Sequence, residues 1–252
     1  MLTVAYDGGH YSGFVRQANA RTVGGELGGA VSAIDPRATN LRAASRTDAG
    51  VHARGQLCAF DSTKELSPRS WVLALTQHLP QEIAVVRAAS VAPGFDPRRH
   101  AQRKTYRYSV LHSVVRDPFW EGRAWRISER FNQSEAVRSA RALLGKHDFR
   151  AFRGAEDQRE ETVRQIFRID VHTAHSDERI TLIDVEGNGF MYKMVRIIAG
   201  SLVDIGRGRL AADAFERALE SGVRTDLGIT APAQGLCLEE VVLDVDLQDF
   251  WP

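Results

Sequence analysis

Runs of branched apolar residues alternate with helix-like runs along this chain in the order β-α-β-β-α-β, and that order occurs twice. In the first half the strands read Leu2 to Tyr6, Asn40 to Ser45, Gly55 to Phe60 and Ile83 to Val91, with helices near Val23 to Ile34 and Ser67 to Leu79. Ser67 and Pro68 supply an N-cap and a first-turn proline. The second half has strands near Thr105 to Ser113, Val163 to Thr173, Arg179 to Glu186 and Leu236 to Val245. Its helices fall near Glu135 to Leu144 and Phe190 to Ile205, with an extra one over Ala211 to Glu220. Each half reads as a split βαβ unit of ferredoxin-like type. The simplest fold is an α+β protein of two ferredoxin-like halves related by pseudo-two-fold duplication, with helices on one face of a mainly antiparallel sheet and a working cleft between the halves. Pro93 to Lys104 is rich in turn-forming and basic residues and has no clear period, which puts the boundary there and predicts domains 1–103 and 104–252.

A chain of 252 residues with 43% hydrophobic content can build a sizeable core. Its 33 basic residues against 32 acidic ones leave a net charge of +1, so any nucleic-acid surface has to be a local patch. Cys58 and Cys237 each sit alone in an apolar strand-like run and read as reduced core thiols. The first strand follows Met1 directly, which leaves no room for a signal or transit peptide, and no stretch approaches membrane-spanning length. A soluble cytoplasmic protein is expected. The first helix carries Gly24, Gly25, Gly28 and Gly29, each costing roughly 1 kcal/mol relative to alanine in a helix interior. It must be held by tertiary packing or start late. The glycine spacing matches neither a Walker A loop nor a dinucleotide fingerprint.

Between two strands of the first half lies Ser45-Arg46-Thr47-Asp48-Ala49-Gly50-Val51-His52-Ala53. A carboxylate two residues after a guanidinium, in a loop where Gly50 can take a positive φ, suits a fixed and ionised catalytic group. The same residues also suit an Asp in a tight turn that hydrogen-bonds its own backbone. On the residues alone the turn is the commoner fate of an Asp-Ala-Gly stretch.

The whole string resembles the active-site loop of the tRNA pseudouridine synthase A family, and five further blocks share the resemblance in order. Tyr6 to Phe14 is similar to that family's first strand and turn, and Phe95 to Tyr108 to its basic linker and aromatic strand. Lys146 to Phe152 is similar to a second-half signature, Asn188 to Leu202 to the long second-domain helix, and Gln234 to Leu238 to the closing active-site strand. The resemblance implies a cofactor-independent, metal-free isomerase. Such an enzyme turns uridine into pseudouridine on the three-prime side of the tRNA anticodon stem-loop, in a central RNA-binding cleft of a homodimer, with no membrane association.

Residue by residue, the resemblance makes Asp48 the catalytic carboxylate and Arg196 the cation that keeps it ionised. If the helix runs from Phe190, then Gly189, Lys193, Arg196 and Gly200 share one stripe, and Phe190, Met194, Ile198, Leu202 and Ile205 a core face. That places Lys193 with Arg196 toward RNA; a solvated surface arginine is the plain alternative. Strand alternation puts Tyr106 and Tyr108 on one face and Arg107 on the other. The resemblance assigns Tyr106 to stacking on the target base and assisting the last proton transfer, while a core role suits Tyr108 better. Leu236 is implied to pack under the uracil, and Arg46 to enter the RNA helix or to position a phosphate. Arg98, Arg99, Arg103 and Lys104 with His100 make a local basic surface for phosphates. His52 receives no proton-transfer role.

The chain departs from the family pattern at Phe14-Val15, where Trp-Gln is usual, at Ser45, where glycine is usual, and at Gly24, where glutamine is common. The catalytic positions are intact; the changes bear on RNA contacts. A binding module that lost turnover would not need Asp48, Arg46, Tyr106 and Arg196 together. A phosphotransferase with an Asp nucleophile would need metal-binding acidic residues that the loop lacks.

Overall fold

The computed structural model describes residues 1–245, 247, 250 and 251. In chain order the first elements are β1 (Leu2–Tyr6), α1 (Val23–Ile34), β2 (Thr39–Ala43), β3 (His52–Asp61), α2 (Pro68–Thr76) and β4 (Ile83–Ala89). Then come β5 (Ala101–His112), β6 (Trp125–Ile127), α3 (Gln133–Ala140), β7 (Gly145–Asp148), β8 (Val163–Ala174) and β9 (Asp177–Gly187). The chain closes with α4 (Met194–Gly206), α5 (Ala214–Ser221), β10 (Leu236–Leu243) and β11 (Phe250–Trp251). Two compact units result, Met1–Gln102 with Cys237–Pro252, and Arg103–Leu236. Each is mixed α+β with a mostly antiparallel sheet.

In the first unit β1 lies between β3 and β4, antiparallel to both, and β2 pairs with the far end of β3 from Thr39↔Asp61 to Ala43↔Cys58. Near the start of β3, β10 runs parallel to it through Cys237↔His52 and Leu238↔Ala53. Leu2, Val4 and Tyr6 alternate into the core, where Leu27, Cys58, Ala59 and Leu75 are fully buried. Helix α1 begins at Val23 despite its glycines. The Thr22 hydroxyl accepts from Gly25 N at 3.1 Å, and Gly24 N donates to Phe14 O at 2.8 Å. A Cβ on Gly24 would lie 2.5 Å from that same oxygen, so close backbone approach explains one glycine. In α2 the Ser67 hydroxyl caps Ser70 N at 3.2 Å, with Pro68 in the first turn. Cys58 and Cys237 are free thiols, and burial pushes both well above the ordinary thiol range.

In the second unit β5, β9, β8 and β7 form an antiparallel ladder in that order, and the short β6 runs parallel to the end of β5. Three short strands, β6, β7 and β11, have too few residues to show a period in sequence. The basic segment is not all loop. Strand β5 starts at Ala101, so Arg103 and Lys104 belong to it, and Lys104 is paired opposite Gly187. Helix α4 starts at Met194, four residues later than the apolar periodicity predicts, because Lys193 is left-handed at φ 62°. The preceding turn is pinned instead by Tyr192 N donating to Asp157 at 2.8 Å and by Gly154 N donating to Tyr192 O at 2.9 Å.

Opposite Asp184 on β9, Arg107 makes two bonds to the carboxylate, at 2.7 and 2.8 Å, and His172 Nε2 lies 3.1 Å away. Burial raises the carboxyl's pKa, but the bonds and charges of Arg107 and His172 outweigh it and hold Asp184 below the usual carboxylate range. A depressed folded pKa contributes stability above the unfolded value of about 4 and loses it as pH falls through the folded value. Asp184→Asn is therefore expected to cost about 2 kcal/mol at pH 7, with the difference from wild type closing as pH drops below about 4. Urea unfolding across pH checks this; a gap that persists in acid would mean the ion pair is not its source.

Candidate active site

The loop between β2 and β3 is braced from three sides within the first unit. Gln56 on β3 is fully buried, and its amide accepts from Ser45 N at 3.1 Å and donates to Ser45 O at 2.8 Å. The Thr47 hydroxyl, also buried, shares a 2.8 Å hydrogen bond with Tyr6 OH on β1. From the turn after β1, Phe14 N donates to Thr47 O at 3.1 Å and Gly50 N donates to Tyr11 O at 3.2 Å. Two glycines let that turn lie directly on the loop. A Cβ on Gly8 would sit 2.0 Å from Val51 O, and Gly13, at φ +87°, has Thr47 O 2.8 Å from its would-be Cβ. Gly50 has φ +78°, the left-handed conformation its position predicts. The 3.2 Å bond from Val51 N to Asp48 O closes the turn. Gly8 N donates to His52 Nδ1 at 3.1 Å, so His52 serves as part of the bracket.

Asp48 is thus held half-buried, with the Thr47 side chain turned inward and that of Arg46 outward. Gln56 is the residue that sequence reading missed. A lone glutamine inside Gly55-Gln56-Leu57-Cys58-Ala59 was the available signal, because a buried amide needs partners. Gln56→Leu should remove both of its bonds to Ser45 and cost about 2 kcal/mol in urea unfolding. A cost below about 0.5 kcal/mol would mean that water takes over the bracket.

In the second unit, Tyr106 is buried with its ring edge-on to Phe190, centroids 5.4 Å apart at 90°. Tyr106 and Tyr108 share one face of β5, with Arg107 on the other. Tyr108 is fully buried, donates to Pro232 O at 2.8 Å, and has its phenol pushed well above the ordinary range by burial. Gly235 admits that ring, since a Cβ there would lie 2.5 Å from Tyr108 Cζ, and the next residue, Leu236, is buried. Among the described residues of α4 all are buried except Arg196. Its Nε donates to Ala231 O at 2.8 Å and its carbonyl accepts from Ala231 N at 3.0 Å. Gly200 allows this approach, because a Cβ there would meet Ile229 O at 1.9 Å.

The expected small-and-basic stripe holds for Arg196 and Gly200 and fails for Gly189 and Lys193, which precede the helix. Lys193 Nζ stands 4.6 Å over the Tyr192 ring and 3.2 Å from Glu156. Met194, Ile198, Leu202 and Ile205 form the expected core face, without Phe190. Of the basic run, Arg103 pairs with Glu186 at 3.2 Å and lies 5.1 Å over Phe167. Arg99 is largely exposed, 3.7 Å from Asp96, and Lys104 is half-buried. Arg46 and Arg98 line one open cavity of about 450 Å³ in the first unit. No group of three or more His, Cys, Asp or Glu among the described residues is arranged to hold a metal ion. No described helix is long and apolar enough to cross a membrane.

A family model described as tRNA pseudouridine synthase matches residues 2–98 and 139–244. The chain belongs to the tRNA pseudouridine synthase family. Similar curated members are named tRNA pseudouridine synthase A. That of Moorella thermoacetica is 40% identical over 242 residues, covering 95% of this chain and 97% of the relative. That of Myxococcus xanthus is 40% identical over 241 residues, covering 95% and 90%, and that of Pelobacter propionicus 38% over 240, covering 95% and 97%. Among solved structures, the crystal structure of a Cbf5-Nop10-Gar1 complex overlaps 82% of this chain and 55% of that chain at 10% identity, with a TM-score of 0.34, too slight to argue from. Within this tRNA pseudouridine synthase chain, the family match takes in the Asp48 loop with its bracket as well as α4 with Arg196; Tyr106 lies between the two matched segments.

Proposed function

We propose that this chain converts uridine to pseudouridine in transfer RNA without a cofactor, with Asp48 as the essential carboxylate. The reaction breaks the N1–C1′ bond of the target nucleotide, turns the uracil and joins C5 to C1′. C5 loses its proton, N1 gains one from solvent, and no oxidant or reductant is called for. Asp48 acts on the sugar or base of an everted uridine. Arg196 provides the positive charge that favours its ionised form, Tyr106 stacks on the base, and Leu236 packs beneath it. The substrate region is the three-prime side of the anticodon stem-loop, the working form is a homodimer, and the setting is the cytoplasm. The β-α-β-β-α-β order of β1 to β4 returns in β5, α3, β8, β9, α4 and β10, which supports two ferredoxin-like halves.

The observation that carries the reading is agreement along nearly the whole chain with proteins named for this activity, with the Asp48 loop intact and braced. A binding module without turnover has less support, since nothing in RNA binding alone calls for a loop braced so firmly around a carboxylate. Incubating the protein with tRNA tritiated at uracil C5 is the test. Tritium should appear in water in proportion to pseudouridine formed, with no added metal or nucleotide; tRNA that binds but keeps its label would sink the proposal.

A further inference from the structure

The open cavity of the first unit lies against the loop that carries Asp48 and has a definite chemical character. Its floor is apolar, built by Phe14, Val15 and Leu41. Three arginines stand at its rim: Arg16, Arg46 and Arg98. All three are exposed, and among the described residues no ion pair engages any of their guanidiniums. Arg42, which also lines the cavity, is different. It is bound to Asp61 through two bonds, at 2.7 and 2.9 Å, and donates to Phe95 O at 2.9 Å, so its charge is already spent. The one lining carboxylate, Asp96, accepts from Arg98 N at 2.9 Å and lies 3.7 Å from the Arg99 guanidinium. The site therefore offers apolar lining beside a cluster of uncommitted cations.

That combination matches one ligand chemistry, a planar base joined to a phosphate. Arg46 is two residues from Asp48, at most about 7 Å along the chain, which is within the reach of a neighbouring nucleotide. We propose that this cavity is a subsite for one unpaired nucleotide next to the target uridine, with its base on the Phe14, Val15 and Leu41 floor and its phosphate held by Arg46 and Arg98. The inference rests on the pseudouridine synthase reading and deepens it. Phe14, Val15 and Gly24, three of the four positions at which the sequence resemblance implies a departure from the family, all line the cavity. The subsite thus makes substrate choice a property of this chain's own residues.

Gly28 offers a clean test, because its missing side chain faces the cavity and a Cβ there would meet Leu41 Cδ2 at 3.8 Å, an ordinary contact. A Cβ at Gly28 strikes no backbone, and Gly28→Leu extends it into the space. With full-length tRNA tritiated at C5, Gly28→Leu should raise KM about tenfold and change kcat less than about twofold. Arg98→Ala, on the exposed rim, should raise KM about fivefold and lower the slope of log affinity against log salt by about 0.7 to 1. Unfolding midpoints equal to wild type establish that both variants are folded, and Arg98→Ala carries the test alone if Gly28→Leu is not. Wild-type KM and salt slope in folded variants would overturn the subsite while leaving the activity in place. Absence of tritium release from the wild type would overturn the activity itself.

Discussion

Asp48→Asn is expected to stop tritium release from C5-labelled tRNA, lowering turnover by about 10⁴-fold or more, while tRNA still binds. The substitution keeps the shape of the side chain and removes its charge and basicity. The brace of the loop runs through Ser45, Thr47, Gly50 and Gln56, so the fold of the first unit does not depend on the carboxylate being charged. A folded variant with intact binding and no product separates chemistry from recognition. Turnover near the wild-type rate would remove Asp48 from the mechanism, and with it the reading of the loop. Asp48→Ala adds a control: it also gives up shape, so an equal loss in both variants would point to charge as the property that matters.

The second large effect is expected at Arg196. Arg196→Ala should lower kcat/KM by on the order of 10² to 10³-fold, and Arg196→Lys should recover only a small part of it. A lysine restores the charge but not the fixed plane. In the present structure the Nε bond to Ala231 O sets the orientation of the guanidinium, and an ammonium has no second nitrogen with which to hold that contact and still present its charge. Loss of the same bond should also cost about 1 kcal/mol of stability, so melting and turnover need to be measured together. Full turnover in both variants would leave the arginine with a packing role only.

Local rules in the sequence reach far into this fold. Leu2 to Tyr6 and Val23 to Ile34 are observed at the predicted bounds, and Ser67 with Pro68 starts α2 as capping chemistry requires. These elements were legible because periodicity and caps act within a few residues. Helix α4 was misread because its apolar pattern continues back to Phe190, while tertiary bonds to Asp157 and Gly154 hold Tyr192 in a turn and force Lys193 into a left-handed conformation. The same limit hid the brace of the Asp48 loop. Ser45 and Gln56 are eleven positions apart and Tyr6 and Thr47 forty-one, so their pairing is set by the register of β1, β2 and β3 rather than by spacing. Tyr106 and Tyr108 were separable in face from Arg107, but their partners, the Phe190 ring and the Pro232 carbonyl, come from distant turns. Arginines 46 and 98 were legible as basic residues; the apolar floor they border was not, because Leu41 and Phe14 meet only in the folded unit.

Every brace described for the Asp48 loop comes from residues 6 to 56, so a growing polypeptide can set the loop's shape early in synthesis. The strand that pairs with His52 and Ala53, where the loop runs into β3, arrives some 180 residues later, at Cys237 and Leu238. A product released from the ribosome before that point would carry the carboxylate on a sheet with an open edge at the exit of the loop. Parallel pairing by β10 thus leaves that edge of the sheet open until residues 237 and 238 have been made.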